Sequence, residues 1–106
     1  MDQAYQAHLL VEAANKKLNP GCWEALCSNR EERLTQAREN LEKAANLFKL
    51  EKSWEEAGEC FERCAGVQEA LKEDPSDFFQ DAAHCFKLND KKRIIIITFR
   101  FYTEHK

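Results

Sequence analysis

AANLFKLEKS (44–53) and AAHCFKLNDK (82–91) begin thirty-eight positions apart and share the pattern Ala-Ala-x-x-Phe-Lys-Leu. Self-similarity at that spacing is the mark of stacked helical hairpins, in which each hairpin buries its apolar face only against its neighbours. The expected fold is therefore all-α: tetratricopeptide-like antiparallel hairpins, about four helices, forming a short piece of α-solenoid.

Working outward from the repeat, apolar periodicity places the four helices. Ala7, Leu10, Val11, Ala14 and Leu18 share one side of a first helix over about residues 2–18, which stops at Asn19-Pro20-Gly21. Leu34, Ala37, Leu41, Ala44, Ala45 and Phe48 form a stripe at spacings of three and four on a second helix, residues 30–50. Ser53 and Glu56 have the spacing of a capping box at the start of a third. Within it, Trp54-x-x-Ala57-Gly58-x-x-Phe61 sets a large ring one turn from small residues, so a neighbouring helix is expected to approach closely at Ala57 and Gly58. Asp74-Pro75 restarts the chain, and Phe78, Phe79, Ala82, Cys85 and Phe86 carry a fourth helix to about Leu88.

Composition narrows the function classes. The 106 residues are 43% hydrophobic and 33% charged, which suits one globular helical domain. Residues 1–90 carry 11 Lys and Arg against 18 Asp and Glu, a net −7, whereas residues 91–106 carry 5 against 1, a net +4. Nothing here is the broad basic surface that nucleic acid asks for. The start, MDQAYQAH, has no basic region followed by an apolar run, and no stretch approaches the length of a membrane span, so a cytoplasmic or peripheral protein is expected. The five cysteines are an odd number in such a chain and read as reduced thiols. Cys60 and Cys64, with His84 and Cys85, could be imagined as zinc ligands, but Cys-x3-Cys inside an amphipathic helix reads as packing, and no metal is assigned. There is no phosphate-binding glycine loop, no Ser/His/Asp set and no paired-carboxylate geometry, so no enzyme and no cofactor are expected.

The runs KAANLFKLEKSWEEAGECF (43–61) and FQDAAHCFKLND (79–90), preceded by ANKKLNPGCWEAL (14–26), closely resemble the N-terminal part of the alpha-type soluble NSF attachment proteins, above all the plant members. The resemblance covers about residues 5–90. It implies a non-catalytic adaptor whose hairpins lie along the assembled SNARE four-helix bundle and recruit the hexameric ATPase NSF, which disassembles the bundle after membrane fusion. A free-standing tetratricopeptide-like module that binds an unrelated peptide is the alternative.

The loop between the first two helices is the segment singled out for function. Cys22, Trp23 and Leu26 lie in a connection opened by a Pro-Gly break, where large apolar side chains are seldom left in water without a reason. The resemblance makes this a membrane-touching element, and Trp suits headgroup depth. Lys16 and Lys17 just before it would add roughly 1 kcal/mol each at an anionic surface, while Glu24 opposes it. The competing reading folds Trp23 back onto the first two helices as a staple. For the acidic SNARE bundle, the candidate contacts are Arg63 and Lys72 on the third helix and Lys49, Lys52 and Lys87 near the hairpin turns.

After Asp90 the resemblance stops. KKRIIIITFRFYTEHK (91–106) has four consecutive isoleucines with Thr98, Phe99, Phe101 and Tyr102, a β preference without a 3.6-residue period. Residues 1–90 are thus expected to form the hairpin domain and residues 91–106 a divergent, irregular or β-prone tail. The chain reads as a truncated form unable to recruit NSF, because the part of the family fold that meets the ATPase lies at its far end. A basic-apolar membrane anchor is a further reading of the tail, too short to span a bilayer.

Overall fold

The computed structural model describes residues 3–21 and 29–104. Four helices account for nearly all of them: α1 (Gln3–Leu18), α2 (Arg30–Leu50), α3 (Trp54–Ala70) and α4 (Ser76–Glu104). There is no strand among the described residues.

The two tight connections are built alike. At the end of α2, Ser53 N donates to Phe48 O (2.8 Å) and Lys52 N to Lys49 O (3.0 Å), with Lys52 in the left-handed region at φ 59. At the end of α3, Glu73 N donates to Gln68 O (2.9 Å) and Lys72 N to Glu69 O (3.0 Å), with Lys72 at φ 61. Both are Schellman caps with lysine at the position that glycine usually takes. They satisfy the last carbonyls of each helix and reverse the chain within a few residues, which makes α2/α3 and α3/α4 antiparallel hairpins.

The helix starts divide between expectation and correction. Asn29 caps α2, its Oδ1 accepting from Glu31 N at 2.9 Å. Asp74 opens α4, its Oδ1 accepting from Ser76 N (3.0 Å) and Ser76 Oγ (2.6 Å), and these bonds hold its carboxyl below the usual range. The capping box expected at Ser53 does not form, because Ser53 makes no side-chain cap bond. Its N–H is already committed to closing the cap of α2, and its ψ of 72 is not that of an extended N-cap.

Each helix packs chiefly on its sequence neighbours. One core cluster joins Ala7, Ala44, Ala45, Phe48, Ala57, Phe61, Ala82 and Cys85. A second joins Ala14, Ala37, Leu41, Cys64 and Val67, and Phe78 lies against both. Alanines dominate the seams, so the helices come close, and Phe48 and Phe61 fill the space between them. The close approach expected at Gly58 is present, for a Cβ there would stand 2.7 Å from Cε1 of Phe86. The two copies of the repeat are not equivalent in burial. Ala44 and Ala82 are both buried, but Ala45 is buried where its counterpart Ala83 is exposed, because α2 packs extensively on both α1 and α3 whereas α4 packs chiefly on α3.

The tail departs from expectation. The fourth helix was expected to end near Leu88 and the residues after Asp90 to be irregular or β-prone, yet α4 continues to Glu104. No Gly or Pro follows Pro75, so nothing stops the helix. Extending an existing helix adds a hydrogen bond per residue without a new nucleus, and isoleucine and threonine resist it by only a few tenths of a kcal/mol each.

Candidate functional site

Contacts across the stack fix its polarity. Arg38 on α2 reaches Gln68 and Glu73, the latter at 3.4 Å, while Lys49 Nζ lies 5.8 Å from the centre of the Phe61 ring, as antiparallel neighbours require. Asn15 accepts a hydrogen bond from Arg63, and His8 lies near Glu56 and Cys60. Thus α1 and α3 run parallel along one side of α2 and leave a groove between them. A cavity of about 120 Å³ opens there, with the His8 ring edge-on to Phe48 at 5.2 Å, Arg63 at one side, and Glu56 and Glu59 at the rim. Its chemistry is that of recognition: opposed charges over an apolar floor. Burial pushes the Cys60 thiol up to about 11, so it stays protonated and is no nucleophile at neutral pH.

The five candidate bundle contacts are spread along the stack and form no single patch. Arg63 is half-buried and its guanidinium ties α3 to α1. Lys49 is half-buried and its ammonium approaches the face of Phe61, so part of its role is packing. Lys52 is exposed at the α2–α3 turn, Lys72 is exposed at the α3–α4 turn, and Lys87 is exposed on α4. The two turns stand at opposite ends of α3, which at 17 residues is about 25 Å long. Lys16 and Lys17 are exposed on the last turn of α1, where their charges also suit the helix C-terminus. Cys22, Trp23 and Leu26, with Glu24 and Cys27, lie outside the described residues.

Two features were not anticipated. The Arg38–Gln68–Glu73 set clamps α2 to the end of α3, and Gln68 Nε2 also donates to Asp74 O at 3.3 Å. The second is an open groove of about 450 Å³ at the α2–α3 turn, where Lys52 and Trp54 meet Leu88, Lys91, Lys92 and Ile95 of α4. The signal for it was present in the Lys91-Lys92-Arg93 run, but it becomes a site only once α4 is continued past Leu88 to face the turn.

The other buried cysteines behave as core atoms. Burial pushes the Cys64 thiol up to about 12 and raises that of Cys85. Cys64 Sγ donates to Arg38 O at 3.6 Å. No group of three or more His, Cys, Asp or Glu is placed to hold a metal among the described residues, and no described helix is long and apolar enough to cross a membrane.

Parallel α1 and α3, a central α2, repeated Schellman turns and alanine-aromatic seams define a short α-solenoid of the tetratricopeptide-like class. Within that class the chain belongs to the soluble NSF attachment protein family: the profile described as "Soluble NSF attachment protein, SNAP" matches residues 5–101. It is similar to an "Alpha-soluble NSF attachment protein" of Vitis vinifera, 36% identical over 61 residues, which is 56% of this chain and 21% of the relative. It is similar to the protein of the same description from Mus musculus, 33% identical over 95 residues, 88% of this chain and 32% of the relative. A "Probable vesicular-fusion protein sec17 homolog" of Neurospora crassa is 36% identical over 91 residues, 83% of this chain and 30% of the relative. The matched regions thus span between 21% and 32% of these curated relatives. No solved structure matches the chain.

Proposed function

We propose that this chain acts in vesicle fusion and trafficking as an adaptor that lies along the SNARE four-helix bundle at a membrane surface, cytoplasmic and peripheral, with no enzymatic activity of its own. The observation that carries the reading is family membership across residues 5–101, which takes in all three consecutive helix packings. The placement of the basic residues supports it as well. Lys52 and Lys87 toward one end, Arg63 midway and Lys72 at the other would meet an elongated acidic partner along its length, where a compact ligand would call for a focused patch. Lys16, Lys17, Cys22, Trp23 and Leu26 supply the lipid contact in this reading. Residues 1–90 carry these roles as the hairpin domain, residues 91–104 prolong its last helix, and recruitment of NSF is assigned to neither.

Retention on immobilised SNARE bundle tests the reading. Wild-type chain should be retained and should compete with a full-length relative, and Lys52→Glu with Lys72→Glu should weaken retention while leaving helicity unchanged. Folded chain that ignores the bundle but captures unrelated peptides would replace this reading with that of a peptide-binding module. Stimulation of ATPase-driven disassembly by this chain alone would overturn the statement on NSF.

A further inference from the structure

We infer that the edge formed by the α2–α3 turn and the second half of α4 is a contact site for an anionic lipid surface. Lys52, Lys91 and Lys92 come from two different elements and are all exposed, and they surround an open groove of about 450 Å³ floored by Trp54, Leu88 and Ile95. Ile95 is 67% exposed, as is Leu50 on the last turn of α2, so apolar surface is presented to solvent close to these lysines. Glu51, Glu55 and Asp90 are exposed on neighbouring positions but do not line the groove. A basic rim around aliphatic side chains and an indole is the arrangement that interfacial segments use, with Trp at headgroup depth and lysines among the phosphates.

The course of α4 adds to the case. Because α4 runs antiparallel to α3 and its residues 88–95 lie beside Trp54 at the start of α3, the helix continues past the turn, by about 13 Å over nine further residues. The sequence of that extension, IIITFRFY from Ile95 to Tyr102, is predominantly apolar and aromatic. No described helix is long and apolar enough to span a bilayer, so the contact is interfacial.

A second copy of the chain fits less well. The acidic stripe of exposed Glu55, Glu59, Glu62 and Glu69 on α3 could meet the lysines, but no large hydrophobic residue is exposed on α3 to fill the groove. A lipid surface satisfies both requirements, supplying negative headgroups and accepting aliphatic side chains without a matching shape. The site stands at the far end of α2 from its N-cap Asn29, about 31 Å along the helix.

The experiment uses full chain carrying Trp23→Ser and Leu26→Ser, which removes the loop's contribution and leaves Trp54 as the one tryptophan. Flotation is compared on phosphatidylcholine vesicles and on vesicles that also contain phosphatidylserine. Binding should require phosphatidylserine, weaken with salt, and shift Trp54 fluorescence to the blue. Lys52→Gln, Lys91→Gln and Lys92→Gln should each lower partitioning about fivefold, on the order of a hundredfold together. Replacing the same three by arginine should preserve it, and Ile95→Asp should weaken it. Equal binding to neutral vesicles, or a triple glutamine variant that folds and still binds, overturns the proposal. Concentration-dependent self-association in sedimentation, abolished by the glutamine variant with no vesicle binding, would assign the groove to a second copy instead.

Discussion

Gly58 and Gly66 occupy the same helix, and the packing assigns their alanine substitutions opposite signs. At Gly66 a Cβ would meet nothing within 4 Å, so Gly66→Ala should simply gain helix propensity, about 0.5–1 kcal/mol. The same gain is available at Gly58, but there the methyl would stand 2.7 Å, 2.8 Å and 3.0 Å from Cε1, Cζ and Cδ1 of Phe86, well inside van der Waals contact. Overpacking of this kind costs about 1–3 kcal/mol, so Gly58→Ala should be destabilising by up to about 2 kcal/mol. The two variants should thus differ by about 1–3 kcal/mol, some 4–8 °C in Tm per kcal/mol for a chain of this size. Urea unfolding followed by far-UV circular dichroism measures the difference. A double-mutant cycle with Phe86→Leu locates its cause, since shortening the ring should recover the propensity gain at position 58. If Gly58→Ala stabilises the chain as much as Gly66→Ala, then α3 and α4 do not meet as described.

Other substitutions test the core, the thiols and the loop. Phe61→Ala or Phe48→Ala should cost about 3–5 kcal/mol through the cavity left behind, enough to unfold most of so short a stack, and a Tm change of only a degree or two would place these rings outside the core. Cys60 and Cys64, pushed up to about 11 and about 12 from an unperturbed 9.0, stay protonated in the fold after the unfolded chain has ionised. The stability tied to them is complete below pH 9 and is lost as pH rises toward 11–12, so the urea midpoint should fall more steeply there in wild type than in a Cys60→Ala, Cys64→Ala variant. Trp23→Ser with Leu26→Ser should reduce liposome binding and leave helicity intact; loss of helicity would show Trp23 to be a core staple.

Much of the fold was legible because its signals are local. The stripe from Leu34 to Phe48 set α2 at the observed bounds, and the repeated Ala-Ala-x-x-Phe-Lys-Leu gave the hairpin stack its period. What failed were places where two local signals compete for one residue or where the context of a whole helix outweighs its parts. Ser53 carries both an N-cap signature and the closing N–H of the preceding helix, and the geometry serves the latter. The isoleucines of the tail prefer strands as individual residues, yet they follow an established helix with no stop signal and, among the described residues, no partner strand. The site was less legible than the fold, because a basic residue near a turn has no direction until the turn is built. Lys49 turned inward over Phe61, Arg63 bonded across to α1, and Lys52 and Lys72 took left-handed positions at opposite ends of α3.

Those left-handed lysines bear on how the stack divides its work. A non-glycine residue at φ near 60 costs roughly 1 kcal/mol relative to glycine, and the chain accepts that cost at both tight turns with the same residue type. Neither side chain offsets it by burial, since both are exposed. Glycine would close both turns at less cost, and what lysine adds there is an exposed charge. The two charges are also separated: Lys52 joins Lys91 and Lys92 at one end of the stack, and Lys72 stands beside the clamp of Arg38, Gln68 and Glu73 at the other. A seam of alanines joins the helices between them, so contacts made at both ends would be made by one body, and their binding free energies would reinforce each other through effective concentration. Charge reversal at both ends should then weaken binding to an extended partner by more than either reversal alone, while a partner confined to one end would notice only the lysine it touches.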